Sequence, residues 1–411
     1  MEINKNDCKN KSPNLQFYKI LEIGKNSFDI YKLDNKSSNG YLAVANDKNI
    51  DIYKINSEDD IKLIHSIKVE FKDMKKFECK QDINCMKYYY DSYHDCHYLT
   101  ILINNHCNIL IYKIKEECKY DLIFNHSEMK SQGGYSMSRR PIYYRLYELI
   151  FNKDQAFLIL FYVLQRGCCY RAAYIDVIDF INQEKYEFIQ DYDNEYGERR
   201  PLLNESIMNI HGIKKSEKNY IGFLEYNQFY LYNLSLSNLI SNPDSYEEMD
   251  EKAKKIDLEI IKLPEELRDM SKESFGDINS FLVKENNDDE YLYIYQAINP
   301  FNYWGDDNKD ICNNNIYKIN INNNQIIYKS KINVKSISSM VLWNEKYLLI
   351  FEYKGSNISL FNMKTAIIEK IFNHGDNVLC NGKKLIINND EELLFVIDNE
   401  GTISLWINSK A

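Results

Sequence analysis

The chain has 411 residues and a mass of 48.9 kDa, with 44% hydrophobic and 27% charged residues. That is enough apolar material for a core and excludes a globally disordered chain. A formal net charge of -10 and a pI near 5.4 exclude the basic footprint of a general nucleic-acid binder. Fourteen glycines and six prolines exclude collagen-like and Pro-rich architectures. The 34 tyrosines and 19 phenylalanines favour half-buried strands over helices.

The first 14 residues contain no apolar segment of the secretory type. The longest apolar run, around Ala156 to Leu164, falls far short of the ~20 residues that a membrane helix needs. None of the ten cysteines forms a CxxC pair, so they read as small buried hydrophobes of a reducing compartment. A cytoplasmic location is expected, with the nucleus left open.

In chain order, Leu15–Ile23 reads as a strand, and Ser27–Tyr31 as a second one. After them one short pattern recurs seven times: apolar residues, a large central side chain, then a polar turn. The copies are Asp51–Ile55, Leu110–Ile114, Asp176–Phe180, Tyr230–Leu234, Asn315–Ile319, Ser359–Met363 and Ser404–Asn408. A second apolar run and a turn usually precede each copy. Examples are Tyr41–Ala45 followed by Asn46–Asn49, and Leu393–Ile397 followed by Asp398–Gly401. Run, turn and run make a hairpin. Continuous apolar runs predict strands buried on both faces, as in stacked sheets. An irregular antiparallel sandwich is the alternative arrangement.

The segment Gly401–Thr402–Ile403–Ser404–Leu405–Trp406 resembles the Gly-Thr-Ile-x-Leu-Trp strand of the WD40-type β-propeller superfamily. Asn373–Val378 resembles the family's Gly-His turn with the two residues reversed, and the Trp-Asp dipeptide is absent. The last two repeat spacings, 44 and 45 residues, match that family's period. The resemblance implies an all-β, seven-bladed β-propeller of four-stranded antiparallel blades, with residues 1–411 as a single domain. The last copy stops at Ala411, one strand short of a full blade. Leu15–Ile23 is therefore expected to complete that blade and close the ring. Residues 246–275, rich in Glu, Lys, Met and Leu, break the rhythm. Pro264 sits at a helix-start position there. They are expected to form a partly helical insertion between blades 4 and 5, either a solvated connector or a docking helix.

His94, Cys96, His97, His106 and Cys107 are the one cluster of metal-ligand types. Their spacing fits no zinc module, and one strand would hold its two ends ~20–25 Å apart. No metal and no cofactor is expected. The chain has no Gly-x-Ser-x-Gly, phosphate-binding glycine loop or His-Glu-x-x-His, so an enzyme is not expected.

The arginines carry the sharpest signal. Only eight of the 51 basic residues are Arg, and seven lie between positions 139 and 200: Arg139, Arg140, Arg145, Arg166, Arg171, Arg199 and Arg200. The guanidinium fork suits bidentate carboxylate or phosphate binding in a way that Lys does not. Arg-Arg-Pro occurs twice, at 139–141 and 199–201, in two expected inter-blade connections that would emerge on one face. The reading is a non-catalytic interaction scaffold that takes an acidic or phosphorylated segment of a protein partner. Internal ion pairs with Asp191, Asp193, Glu195 and Glu198 are the structural alternative. Leu164–Gln165–Arg166–Gly167 also resembles the Phe/Leu-Arg-Arg-Gly motif of phosphoinositide-binding propellers of the autophagy type. That resemblance implies, as the runner-up, membrane contact through lipid headgroups.

Overall fold

The computed structural model describes the strands and their tight turns within residues 14–409. Residues 1–13, 24–28, 34–39, 70–82, 132–138, 189–208, 241–257, 263–277, 297–313, 374–381 and several shorter loop stretches fall outside the described residues. The first strand is Leu15–Ile20 (β1). Blade 1 follows, with Asp29–Leu33 (β2), Gly40–Ala45 (β3), Asn49–Ile55 (β4) and Ile61–Lys68 (β5). Blade 2 comprises Ile83–Asp91 (β6), Cys96–Ile103 (β7), Asn108–Ile114 (β8) and Tyr120–His126 (β9). A separate two-stranded hairpin, Met129–Ser131 (β10) with Arg139–Pro141 (β11), precedes blade 3.

Blade 3 contains Tyr144–Phe151 (β12), Ala156–Arg166 (β13), Tyr170–Asp179 (β14) and Glu184–Phe188 (β15). Blade 4 contains Asn209–Lys215 (β16), Lys218–Leu224 (β17) and Gln228–Asn233 (β18). The chain then gives Leu239–Ile240 (β19) to blade 3 before it returns as Leu258–Lys262 (β20). Blade 5 is Ile278–Lys284 (β21), Glu290–Gln296 (β22), Asn314–Asn320 (β23) and Gln325–Ile332 (β24). Blade 6 is Ile337–Trp343 (β25), Tyr347–Glu352 (β26), Ile358–Asn362 (β27) and Ile367–Phe372 (β28). Gly382–Ile387 (β29), Leu393–Asp398 (β30) and Ile403–Asn408 (β31) form the last sheet with β1 outermost.

Every blade is antiparallel, and all seven sequence copies fall on third strands. Seven apolar clusters join consecutive blades, and the last joins blade 7 back to blade 1. There Ile30, Leu42 and Val44 pack with Phe395, Ile397 and Leu405. The ring is therefore closed by burial, and each blade is glued on both faces. This explains the unbroken apolar second strands: β26 and β30 are buried along their whole length. Outer strands read differently. β5 and β28 expose most of their residues, because nothing stacks outside them.

The turns between third and fourth strands reuse one device. Asp179, Asn320 and Asn362 each accept backbone N–H bonds from residues two and three positions on, at 2.8–3.4 Å. A short side-chain oxygen there nucleates the turn. In blade 7 the preceding turn is set by Asp398, which accepts from Glu400 N at 2.9 Å and Thr402 N at 2.8 Å. Gly401 sits between them at φ 84, a conformation that costs other residues strain.

The expected insertion at 246–275 is corrected at its centre. Leu258–Lys262 is the outer strand of blade 4, paired with β18 from Gln228↔Lys262 to Tyr232↔Leu258. The long excursion thus lies inside blade 4, between its third and fourth strands. The composition misled because an outer strand is a surface element and carries charge like a loop. The helix start at Pro264 lies outside the described residues.

Candidate functional site

Inner strands of adjacent blades face one another, so their inward residues line the ring's centre. Three inter-blade bridges hold them. Lys87 on β6 donates to Tyr147 O at 2.8 Å and to Glu148 Oε2 at 3.0 Å, and Tyr89 OH donates to the same carboxylate at 3.2 Å. His211 Nε2 on β16 lies 2.8 Å from Ser280 Oγ on β21. Ser339 Oγ on β25 accepts from Leu385 N at 3.2 Å. Burial deep in the ring, helped by the Lys87 charge, pushes His211 down to about 3. The imidazole is therefore neutral at physiological pH. Ser280 and His211 have the atoms of a nucleophile–base pair, but Ser280 is 2% exposed. A hydroxyl so enclosed locks two blades and offers no attacking oxygen. None of these residues was singled out from sequence, where they are isolated polar letters within apolar strands.

The arginine sector concentrates at one end of blade 3. The chain enters from the β10–β11 hairpin, where Arg139 pairs with Ser131 and Arg140 with Lys130. Arg145 follows on β12 and is exposed. The register slips there, from Tyr144↔Tyr162 to Leu146↔Phe161. Arg145 is the extra residue of a bulge, a device that re-aims a side chain. At the same end β13 turns into β14, with Gln165 opposite Arg171 and Arg166 opposite Tyr170. β15 runs toward the same end but stops short of it, with Glu187 facing Asp176 in the middle of β14. Arg145, Arg166 and Arg171 thus lie toward one end of blade 3, and Arg139 and Arg140 lie on the separate hairpin that precedes it. Arg199 and Arg200, with Asp191, Asp193, Glu195 and Glu198, lie outside the described residues.

This end is anchored by buried aromatics. Tyr144 and Tyr162 meet edge to face at 6.0 Å, and Tyr162 OH donates to Asp176 Oδ1 at 3.1 Å. Lys185 bridges the same carboxylate at 3.0 Å. The strand ends that carry Arg145, Arg166 and Arg171 are therefore held by a packed base.

The metal-ligand types separate as the strand geometry requires. His94 and Cys96 stand before and at the start of β7, and Cys107 follows its far end. His94 Nδ1 instead meets Asp91 Oδ2 at 2.7 Å. His97 stacks on Tyr90, with ring centroids 4.8 Å apart. His106 lies outside the described residues, and among the described residues no group of three ligand side chains converges.

No family model matches the chain, and no curated protein matches it by sequence. Solved structures do match in shape. The Cps50 (Swd1) β-propeller domain of Myceliophteria thermophila superposes with a TM-score of 0.55 at 11% identity. The alignment covers 96% of this chain and 99% of that one. BBS1N, solved in complex with ARL6DN, superposes with a TM-score of 0.50 at 8% identity, covering 97% and 98%. Ring, repeat position and these likenesses agree: the chain folds as a seven-bladed, WD40-like β-propeller.

Proposed function

We propose that this propeller is a non-catalytic scaffold in the cytoplasm that binds an acidic or phosphorylated segment of a partner protein at the arginine end of blade 3. The observation that supports this reading is the position of Arg145, Arg166 and Arg171 toward one end of blade 3, with Arg139 and Arg140 on the hairpin just before it, in a chain whose other basic residues are Lys but for Arg268. The reading also includes Arg199 and Arg200, which lie outside the described residues. A guanidinium fork pairs with two oxygens at once, and each desolvated charge-assisted pair contributes about 1.5–3 kcal/mol. BBS1N offers a precedent for a propeller of this shape held in a protein complex.

The test uses a fluorescent Asp/Glu-rich peptide and its phosphoserine counterpart. Replacing all seven arginines with Lys keeps the charge and removes the fork. Binding is expected to weaken more than tenfold with the melting temperature unchanged. Undiminished binding by an Arg139, Arg140, Arg145, Arg166 and Arg171→Ala variant refutes the reading. Flotation with phosphoinositide vesicles, but no peptide binding, replaces it with the lipid-headgroup alternative.

A further inference from the structure

Four inner strands carry the same irregularity at the same place. In β6, β12, β25 and β29 the register with the second strand slips just after the first pair. The slips lie between Ile83 and Cys85, Tyr144 and Leu146, Ile337 and Ser339, and Gly382 and Lys384. The extra residues are Asn84, Arg145, Ser338 and Lys383. Each follows a buried residue and is itself half-buried or exposed. Among the described residues, β2, β16 and β21 pair with their second strands without a slip. Blade construction therefore does not demand the bulge, which is a device that re-aims a side chain.

Each blade runs from its inner strand outward in one antiparallel order, and neighbouring inner strands touch. Inner strands thus all start at one end of the ring, the end toward which Arg166 and Arg171 lie on blade 3. The four extra residues gather around the mouth of the ring's centre at that end. All four side chains donate hydrogen bonds, and two are cations. Two carboxylates beside these strand starts are engaged within their own turns. Glu352, opposite Ile337, accepts from Asn357 Nδ2 at 3.3 Å. Asp398, opposite Gly382, accepts from Glu400 N and Thr402 N. Ser338 Oγ donates to Phe351 O at 3.2 Å and steadies its bulge.

We infer that this mouth is the second half of the anionic site. An acidic segment held at blade 3 runs inward across the centre, and its next carboxylate or phosphate meets Lys383 on blade 7 and Asn84 on blade 2. The inference rests on the reading of blade 3 given above. Arg145 joins the two halves, because it is both an arginine of that sector and the blade 3 bulge. β14 lies two strand spacings, about 10 Å, from β12, and an extended chain covers ~3.3 Å per residue, so a segment of about a dozen residues reaches from the β13–β14 turn over the mouth. The net charge of -10 repels such a segment at long range, so donors placed at short range decide whether it stays.

The full chain is titrated with a fluorescent Asp/Glu-rich peptide of about a dozen residues and with its phosphoserine counterpart. Lys364→Glu is the control. It makes the same change in net charge as Lys383→Glu, but in an exposed turn between third and fourth strands, at the opposite end of the ring. Lys383→Glu should weaken binding about fivefold or more relative to Lys364→Glu. Asn84→Ala, which changes no charge, should weaken it about twofold. Melting temperatures report folding, and Lys383→Gln replaces Lys383→Glu if the latter unfolds, compared then with Lys364→Gln. Equal losses in the two lysine variants mean that net charge alone acts, and they overturn the inference. Binding lost in the blade 3 Arg→Ala variant but unchanged in Lys383→Glu and Asn84→Ala keeps the blade 3 reading and overturns this one. Failure of both peptides to bind the wild-type chain overturns both.

Discussion

Ring closure is the most exposed element of the design, and two substitutions test it quantitatively. Leu15 on β1 is 4% exposed and sits in the core shared by blades 6 and 7. Phe17 meets Trp406 edge to face with centroids 5.9 Å apart. Truncating a buried Leu costs about 2–5 kcal/mol, and the half-buried Phe adds about 1–3 through lost area and ring contact. The double variant Leu15→Ala, Phe17→Ala should therefore lose about 3–8 kcal/mol. With an unfolding entropy of about 2.1 cal/mol/K per residue over this length, that lowers the melting temperature by roughly 3–9 °C. An internal control lies on the same strand. Lys19 and Tyr18 both reach Asp59 on the neighbouring blade, at 2.9 and 3.0 Å, but in solvent. Exposed pairs contribute little, so Asp59→Asn should leave the transition in place. Differential scanning calorimetry with size-exclusion chromatography reads both. Deleting residues 1–24 should go further and produce aggregates, because the edge of β31 is then bare. A soluble deletion variant with an unshifted transition would refute closure by β1.

Three more expectations follow from other blades. His211 is neutral in the fold, held near 3 by burial against an unfolded value near 6.5. The unfolded chain thus binds the extra proton below pH 6.5. Stability falls from pH 6.5 toward 3, by up to about 1.4 kcal/mol per unit from this group. Urea titrations of wild type and His211→Gln should diverge only in that window, and parallel curves would remove the argument. A Cβ at Gly382 would lie 2.4 Å from Glu352 O and 2.6 Å from the Phe351 ring. Gly382→Ala should destabilise the blade 6–7 seam by roughly 1–3 kcal/mol, measured by denaturant midpoint. Excising 246–272 removes β20 and should cost solubility. Excising only 246–256 keeps every described strand and should leave the melt almost unchanged, since closure entropy varies slowly with length.

The repeat was legible because each third strand buries one large central residue, from Tyr53 to Trp406, against a neighbouring blade. That requirement leaves a mark in the letters even where the spacing drifts. The closing strand was legible for the complementary reason, a sheet one strand short at one end and a spare strand at the other. β20 was not, since the outermost strand of a blade answers to solvent on one side and carries the Glu and Lys of a loop. The β19 excursion was equally hidden: two residues, Leu239 and Ile240, leave no period to detect. Composition singles out the arginine stretch, but the bulge at Arg145 and the Lys130–Arg140 pairing depend on register, which single-strand patterns do not encode. The central bridges among Lys87, Glu148, His211 and Ser280 join residues far apart in sequence, so only the closed ring makes them neighbours.

The pairing of Asn14 N with Asn408 Oδ1 at 2.9 Å, and of Ser409 N with Asn14 O at 3.0 Å, also sets a clock on biosynthesis. At translation rates of about 5–20 residues per second, β1 waits roughly 20–80 s before its partner strand has been made. Through that interval a Leu-Gln-Phe-Tyr-Lys-Ile segment hangs from an unfinished ring with nothing to pair with. Blades 1 to 6 can stack one upon another as they leave the ribosome, yet the first and seventh can seal only once β31 has emerged. The growing ring is thus an open arc until that strand is made, and a chaperone that shields the short β1 strand would act on the one step that the ring cannot complete early.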